Sequence, residues 1–150
     1  KEGLLCHAQH CLVKLPEQVI REEVKTASPE IYEKTLLNSV NVSAWELMMP
    51  RREPRIRKQL NEIMRTEAPI SRSLLSSRIF NAYGILRKTA RLIEWMDGIL
   101  DKTPYYKQEI DGLVFYWNTK EEADSYTGFR IDSKREAVDL PPREVANAAR

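Results

Sequence analysis

Cysteine and histidine are scarce in this sequence, and both types are confined to its first residues. The run CHAQHC contains all of them, as Cys6, His7, His10 and Cys11. Two cysteines five positions apart cannot form the disulfide framework on which a small secreted domain depends. We therefore expect packing, rather than covalent cross-links, to stabilise the fold.

The same run contains the residue types that bind zinc. Structural zinc sites usually take their ligand pairs from two separated segments, so that four donors reach tetrahedral geometry. A single run of six residues does this poorly, although Cys6 and His10 would share one face of a helix. An ordinary helix start or a partly ordered tail is the favoured explanation of the run, and we predict neither a metal site nor a cofactor.

Glycine is also rare, and its scarcity excludes a nucleotide-driven motor. None of the five glycines begins a G-x-x-x-x-G-K-[ST] loop, which phosphate-binding ATPases require. No serine has a histidine close to it in sequence, so a catalytic triad lacks support. These absences predict a non-catalytic protein.

Long apolar runs are missing as well. No segment approaches the roughly 20 apolar residues of a membrane helix, and the first residues are too polar for a signal peptide. We therefore expect an intracellular, cytoplasmic protein without a membrane partner.

Positive charge is concentrated in the middle of the chain. Residues 51–102 hold 12 Lys and Arg against 6 Asp and Glu, whereas residues 1–50 hold 5 against 7 and residues 103–150 hold 7 against 9. A basic segment with acidic flanks is typical of a phosphate-facing surface, although solvated helix faces produce it too.

The first 54 residues are predicted to be a helical flank and linker. One helix is indicated by apolar residues at helical spacing before a break at Ser28-Pro29, and a second is indicated after it. Their apolar positions are Val19, Ile20 and Val24, then Ile31, Tyr32, Thr35 and Leu36. Pro50 and Pro54 mark the boundary, because proline interrupts a helix.

Three amphipathic helices are predicted next. The first helix starts near Arg55 and ends before Pro69. The second starts after the N-cap Ser71 and stops at Gly84. The third covers the stretch LRKTARLIEWMDGILDK. Their predicted inward residues are Ile56, Leu60, Ile63 and Met64, then Leu75, Ile79 and Tyr83, then Ile93, Met96 and Leu100.

A β-hairpin follows around Asp111-Gly112, the dipeptide that a two-residue type I′ turn prefers. This turn pairs Ile110 with Leu113, and each step of two outward gives the next pair on the same face. Those pairs are Gln108 with Phe115 and Tyr106 with Trp117. We expect this face to pack on the helices, leaving Tyr105 and Tyr116 on the other face. There they could stack on unpaired bases, although packing on the N-terminal segment or on a neighbouring domain is the favoured interpretation.

These elements predict an α+β fold: a winged-helix-like core of three helices with a β-hairpin wing at residues 55–118. Residues 119–150 read as a polar linker and the start of a further helix near Pro142. Because that helix has barely begun when the sequence stops, we expect the chain to be a fragment of a longer protein.

Four stretches resemble a known family. They are EAPISRSLLSSRIFNAYGI, DGLVFYW, FRI and LPPREVANAA, and they are similar to the uncharacterised domain at the C-terminal end of large superfamily I DNA/RNA helicase-like proteins of bacteria and archaea. In many of these proteins the domain follows a nuclease domain like that of very-short-patch repair. The resemblance covers residues 55–150, and Tyr32 looks like the tyrosine that precedes the domain. It implies an accessory module that works beside helicase or nuclease domains of the same polypeptide.

Nucleic-acid binding is the predicted function, with DNA as the expected partner. In a winged helix the third helix usually enters the major groove, and here its basic start offers Arg87, Lys88, Thr89 and Arg91. Further cations could contact flanking phosphates and make binding salt-dependent. They are Arg72 and Arg78 on the second helix and Arg55, Arg57 and Lys58 on the first, next to Arg51 and Arg52.

Two observations keep a different class of function open. The tip of the hairpin is acidic at Glu109 and Asp111 and would repel phosphate. Trp95 lies off the predicted apolar stripe of the third helix, and both it and Trp45 could mark an interface with another domain. The alternative is therefore a protein-interaction module that docks motor or nuclease domains without touching nucleic acid.

Overall fold

The computed structural model describes residues 28–131 and 134–150. The helices are α1 (Ala44–Leu47), α2 (Glu53–Glu67), α3 (Arg72–Ala82), α4 (Ala90–Asp101), α5 (Lys120–Ser125) and α6 (Pro142–Ala148). The strands are β1 (Ser28–Ile31), β2 (Ile70–Ser71), β3 (Tyr106–Ile110), β4 (Leu113–Trp117) and β5 (Gly128–Ile131). Single turns of 3-10 helix occupy Pro50–Arg52 and Ala137–Asp139. The prediction of an α+β fold is confirmed.

Helix α2 follows its apolar spacing. The four residues predicted to face inward, Ile56, Leu60, Ile63 and Met64, are all buried. Pro54 does not interrupt the helix as predicted, because it lies in the first turn, where no amide donor is needed for an intrahelical bond. The helix ends at Glu67, immediately before the Ala68-Pro69 pair.

Helix α3 begins and ends at the predicted residues. The Ser71 side chain accepts a hydrogen bond from the Leu74 amide at 3.1 Å, which confirms it as the N-cap. Leu75, Ile79 and Tyr83 are buried. Beyond the helix, Gly84 adopts a φ of +71°, the left-handed conformation that glycine allows at a helix end.

Helix α4 begins later than the sequence indicated. Thr89 is its N-cap, because the Thr89 side chain accepts from the Leu92 amide at 3.3 Å. Arg87 and Lys88 therefore precede the helix instead of forming its first turn. The prediction that Ile93 faces inward is wrong, since Ile93 is 43% exposed. The buried stripe of this helix is Leu92, Met96, Ile99 and Leu100.

The hairpin has the predicted turn and register. Asp111 and Gly112 both have positive φ, at 52° and 78°, as a type I′ turn requires. Ile110 pairs with Leu113, and the pairs outward to Tyr106 and Trp117 follow in step. Strand β2 adds to the other edge of β4, so the antiparallel sheet has the order β2-β4-β3.

The prediction of which hairpin face meets the helices is wrong. Tyr116 belongs to the buried core formed with α2, α3 and α4, and Val114 packs against that core. Phe115 and Trp117 are fully buried on the opposite face, where the Trp117 ring lies 5.2 Å from the Tyr126 ring. A continuous apolar run such as LVFYW indicates a strand covered on both faces, and β4 is the central strand of its sheet.

The segment before α1 is extended, not helical. Residues 28–31 form β1, which pairs in parallel with β5, so the helix predicted at Ile31, Tyr32, Thr35 and Leu36 is wrong. Further along, the Val40 amide donates to the Ala82 carbonyl and the Val42 amide donates to the Tyr83 carbonyl. The end of α3 thus satisfies backbone groups that a helix would have paired internally. The helix predicted around Val19 lies outside the described residues.

The part predicted as a polar linker contains α5, β5 and the turn at Ala137–Asp139. The predicted helix start is confirmed, since α6 begins at Pro142. No helix within residues 28–131 and 134–150 is long and apolar enough to cross a membrane.

Candidate functional site

The cations predicted to open the third helix lie on an exposed loop and the first turn of α4. Arg87, Lys88, Thr89 and Arg91 are all exposed, and the Lys88 ammonium donates to the Ser77 hydroxyl on α3. Because Arg87 precedes the helix, it does not share a helical face with Arg91. Thr89 uses its oxygen to cap α4. We call residues 87–91 the basic loop.

Arg72 is engaged inside the fold. Its guanidinium contacts Asp101 at 2.6 Å and Asp97 at 3.8 Å, and it donates to the Tyr116 hydroxyl at 2.7 and 3.0 Å. It therefore ties α3 to α4 and β4. These contacts use the donors that were predicted to reach phosphate.

Arg78 is also held by partners, around a fully buried carboxylate. Its Nε lies 3.1 Å from Glu67 Oε2, and its Nη2 donates to the Tyr32 hydroxyl at 2.9 Å. Glu67 accepts two further bonds, from the Tyr32 hydroxyl at 2.6 Å and from the Thr35 amide at 2.7 Å. Burial raises the pKa of Tyr32, and its bond to Glu67 adds to that rise.

A second buried carboxylate continues this cluster. Glu144 lies 2.8 Å from the Arg130 guanidinium and 2.7 Å from that of Arg135. Arg130 also donates to the main-chain carbonyls of Glu67 and Pro69, both at 2.6 Å. The guanidinium carbons of Arg130 and Arg135 lie 5.3 and 4.5 Å from the centre of the Tyr32 ring.

The two clusters therefore form one buried network, which we call the Tyr32 network. Its members are Tyr32, Glu67, Arg78, Arg130, Arg135 and Glu144. Burial alone would raise the pKa of Glu144, but hydrogen bonds and charge from its two arginines outweigh it and lower the pKa to about 2. Residue spacing in the sequence does not indicate this network, because its members are spread from residue 32 to residue 144.

Cations on α2 are less constrained. Arg55 and Lys58 are exposed and line a depression with Leu36, Asn38 and Glu62. Arg57 forms an ion pair with Glu53 one turn earlier, at 2.8 Å. Such exposed i, i+4 pairs contribute only a few tenths of a kcal/mol, so Arg57 remains able to exchange partners.

A basic pocket of about 570 Å³ opens beside α3. Five cations line it, against two carboxylates, and two α3 serines complete its polar wall. These residues are Lys34, Arg78, Lys88, Lys134 and Arg135, then Glu136 and Asp139, then Ser73 and Ser77. Asp139 is buried and accepts from the Ser71 hydroxyl. Sequence reasoning missed Lys34 and Lys134, which lie far from the basic middle segment.

The basic pocket continues into two neighbouring depressions. The first shares Lys34 and Arg78 with it, and the second shares Leu36 with the first and reaches Arg55 and Lys58. We call the pocket and these two depressions the basic track. It connects Lys88 of the basic loop with Arg55 and Lys58 of α2.

An apolar cleft of about 490 Å³ lies on the other side of Lys88. It runs between the hairpin tip, α3, α4 and the Ala137–Asp139 turn. Three partly exposed apolar side chains line it: Ile93 at 43%, Leu113 at 41% and Val138 at 52% exposure. The cleft and the basic pocket share Ser73, Lys88 and Asp139.

The aromatic residues do not form a stacking surface on the hairpin. Tyr116 is only 1% exposed, so the prediction that it could stack on a base is wrong. Tyr105 is partly buried against the core and donates to Asn61. Trp95 also packs against the core, whereas Trp45 is mostly exposed.

The described residues contain no group of three or more His, Cys, Asp or Glu side chains that could hold a metal ion. The CHAQHC run lies outside them.

Comparison with known proteins identifies an uncharacterised domain family and no activity. Residues 46–94 match the family described as a protein of unknown function (DUF3320). The match covers about a third of the chain, from α1 through α3 into the first half of α4, and it includes the basic loop. No curated protein and no solved structure matches the chain.

Proposed function

We propose that this protein is a non-catalytic module that binds the phosphate backbone of DNA within a larger superfamily I helicase-like protein. The basic track would hold consecutive phosphates, and the basic loop would contact them at one end. Backbone contacts of this kind position a protein on DNA without reading its sequence.

The observation that carries the proposal is the charge of the basic pocket. The exposed lysines Lys34, Lys88 and Lys134 converge there from three separate segments. None of them forms an ion pair with a carboxylate of residues 28–131 or 134–150. Like charges placed together repel one another unless an anion lies between them, and a phosphate is the anion best suited to ammonium groups around a pocket of this size.

The order of elements supports a winged-helix-like unit. Helix α2, strand β2, helices α3 and α4 and the β3-β4 hairpin follow in that order, and β2 pairs with the second hairpin strand. In such units the third helix is the usual nucleic-acid element. Here the basic loop overlaps the N-terminal end of α4, so its cations lie at the end of the helix that usually contacts nucleic acid.

Two of the cations predicted to bind DNA are excluded from the proposed contacts. Arg72 and Arg78 use their donors within the protein and are better regarded as structural. The proposed contacts are Lys34, Lys88, Lys134, Arg87, Arg91, Arg55 and Lys58, with Arg57 after release from Glu53. The acidic hairpin tip is expected to stay off the backbone.

The helicase context rests on the resemblance of residues 55–150 to the C-terminal domain of superfamily I helicase-like proteins. A module without a motor of its own gains a function when it holds DNA for a motor or nuclease domain on the same polypeptide. Tethering also raises the effective concentration of the module at its DNA site, so modest affinity suffices.

The test is binding of fluorescently labelled duplex, forked and single-stranded DNA across a salt series, with RNA of the same sequence as a further arm. We expect binding at low salt that weakens as salt rises. The double variant Lys34→Glu/Lys88→Glu should weaken binding to all DNA forms and lower the slope of log affinity against log salt by about 2, one for each cation.

The matched control is Arg65→Glu/Lys120→Glu. It changes the net charge by the same amount, but both residues are exposed and neither lines the basic track. Equal losses in the two double variants would show a general charge effect and overturn the assigned site. Absence of DNA and RNA binding by the parent protein at low salt would overturn the function.

Exposed apolar residues favour a second candidate, a protein-interaction module. Leu36, Trp45 and Leu86 are 95%, 67% and 91% exposed, and side chains of this kind can anchor a partner protein. If neither DNA nor RNA binds, a docking function between domains of the same polypeptide becomes the better account.

A further inference from the structure

We propose that the apolar cleft holds one unpaired base of a DNA single strand whose phosphate lies in the adjoining basic pocket. The proposal rests on the proposed DNA binding and makes it more specific, because it assigns a preference for single strands. Two features of the cleft and one of its surroundings support it.

The walls of the cleft suit a flat, mostly apolar group. Ile93 on α4, Leu113 on the hairpin and Val138 on the 3-10 turn approach it from three elements. Its volume of about 490 Å³ falls in the range of small-molecule sites, roughly 300 to 1,000 Å³. Enzymes and readers of unpaired bases hold the base between apolar or aromatic side chains in the same way.

Polar groups at the cleft could recognise the edge of a base. Ser73 and Ser76 on α3 offer hydroxyl groups, and Asp97 on α4 offers a carboxylate that can accept from the N3–H of thymine or from the exocyclic amino group of another base. Asp97 is only loosely engaged by Arg72, at 3.8 Å. A few polar groups within apolar walls are the usual composition of a ligand site.

Continuity with the basic pocket identifies the occupant. Lys88, Ser73 and Asp139 line both concavities, so a group in the cleft lies beside Lys88, and the adjoining pocket adds Lys34 and Lys134. A nucleotide is a ligand with an apolar ring and an anionic phosphate joined at short range. In a duplex the base is stacked and paired and cannot enter, and the acidic tip at Glu109 and Asp111 repels a second backbone.

The test compares oligothymidine with an abasic strand of the same length and the same phosphate count. The cleft variant is Ile93→Ala/Leu113→Ala, and both residues are partly exposed, which favours folding. We expect the variant to bind oligothymidine about tenfold more weakly and the abasic strand as tightly as the parent does. A single 2-aminopurine in the strand should change its fluorescence on binding the parent but much less on binding the variant.

The control is Val145→Ala, a truncation of a half-exposed apolar residue on α6 that does not line the cleft. It should leave both affinities unchanged, and thermal unfolding checks that all variants are folded. Parent-like binding of oligothymidine by the cleft variant, or an equal loss on the abasic strand, would overturn the base site while leaving the phosphate site intact. Failure of the parent to bind any strand would instead reject the proposed function.

Discussion

At the scale of single residues, two glycines have opposite roles. Gly84 follows α3 with a φ of +71°, and a Cβ there would collide with the Asn41 side chain. Gly98 lies exposed within α4, and a Cβ there would meet nothing within 4 Å. The first glycine is required by the backbone, whereas the second lowers the helix propensity of α4 without any structural need.

Alanine at each position should therefore have opposite effects on stability. Gly84→Ala should lower the free energy of unfolding by at least about 1 to 2 kcal/mol, the cost of the left-handed conformation alone. Gly98→Ala should raise it by up to about 1 kcal/mol, because alanine is the better helix former. Urea unfolding of the two variants measures both changes, and a shift of the same sign in both would contradict the argument.

Residues with local functions were predictable from the sequence, and residues with distant partners were not. The Ser71 cap, the Gly84 stop and the Asp111-Gly112 turn each depend on a few neighbouring residues. Glu67 was missed, because its partners Tyr32 and Arg78 approach from two other segments. The convergence of Lys34 and Lys134 on Lys88 was missed for the same reason.

At the scale of elements, the residue at which α4 begins determines the direction in which the cations of the basic loop point. Thr89 caps the helix, so the chain is extended at Thr89, with a φ of −84° and a ψ of 155°. Lys88 is thereby turned toward Ser77 on α3 and into the basic pocket. Had the helix begun at Leu86, Arg87 and Arg91 would have shared one helical face.

Replacement of Thr89 separates its capping role from direct DNA contact. Thr89→Ala should lower the free energy of unfolding by about 1 kcal/mol, the usual cost of losing an N-cap, while Thr89→Ser should retain most of it. Unfolding and the salt dependence of DNA binding are both measured. If Thr89→Ala reduces DNA affinity strongly without changing stability, the threonine acts as a ligand donor rather than as a cap.

For the hairpin, the turn and the register could be predicted from the sequence, but the face that packs on the helices could not. Its turn and register followed from the dipeptide and the period of two. The face that packs on the helices was wrong, because alternation alone does not show that a strand is covered twice. The apolar residues Val114 and Tyr116 were the available signal, since a strand that is apolar on both faces is buried on both.

At the scale of the whole molecule, the Tyr32 network joins segments that the sequence suggested were separate. Tyr32 comes from the predicted flank, Glu67 and Arg78 from the helical core, and Arg130 and Glu144 from the predicted linker. A cut at residue 118 would also separate Trp117 from Tyr126. We expect the described segments to unfold together rather than as independent parts.

The network predicts a specific loss of stability in acid. The pKa of Glu144 is lowered from 4.5 to about 2 in the folded protein, so its contribution is fully present above about pH 4.5 and is lost as the pH falls through 2. The contribution is on the order of 3 kcal/mol. Glu144→Gln should be less stable at neutral pH and should lose less stability between pH 4.5 and 2, as urea unfolding at a series of pH values would show. Parallel losses in both proteins would contradict this assignment.

The pairing of β1 with β5 has a consequence for the order of folding. Ser28 lies opposite Gly128, and Ile31 lies opposite Ile131, so this small parallel sheet closes a loop of about one hundred residues. Contacts so distant along the chain are entropically expensive and slow to form, whereas α2, α3 and the hairpin join neighbouring residues. During synthesis at the ribosome the helical core can therefore assemble while β1 is still unpaired, because β5 has not yet been synthesised. Lys34, three residues beyond β1, would take its place beside Lys88 only at that late step.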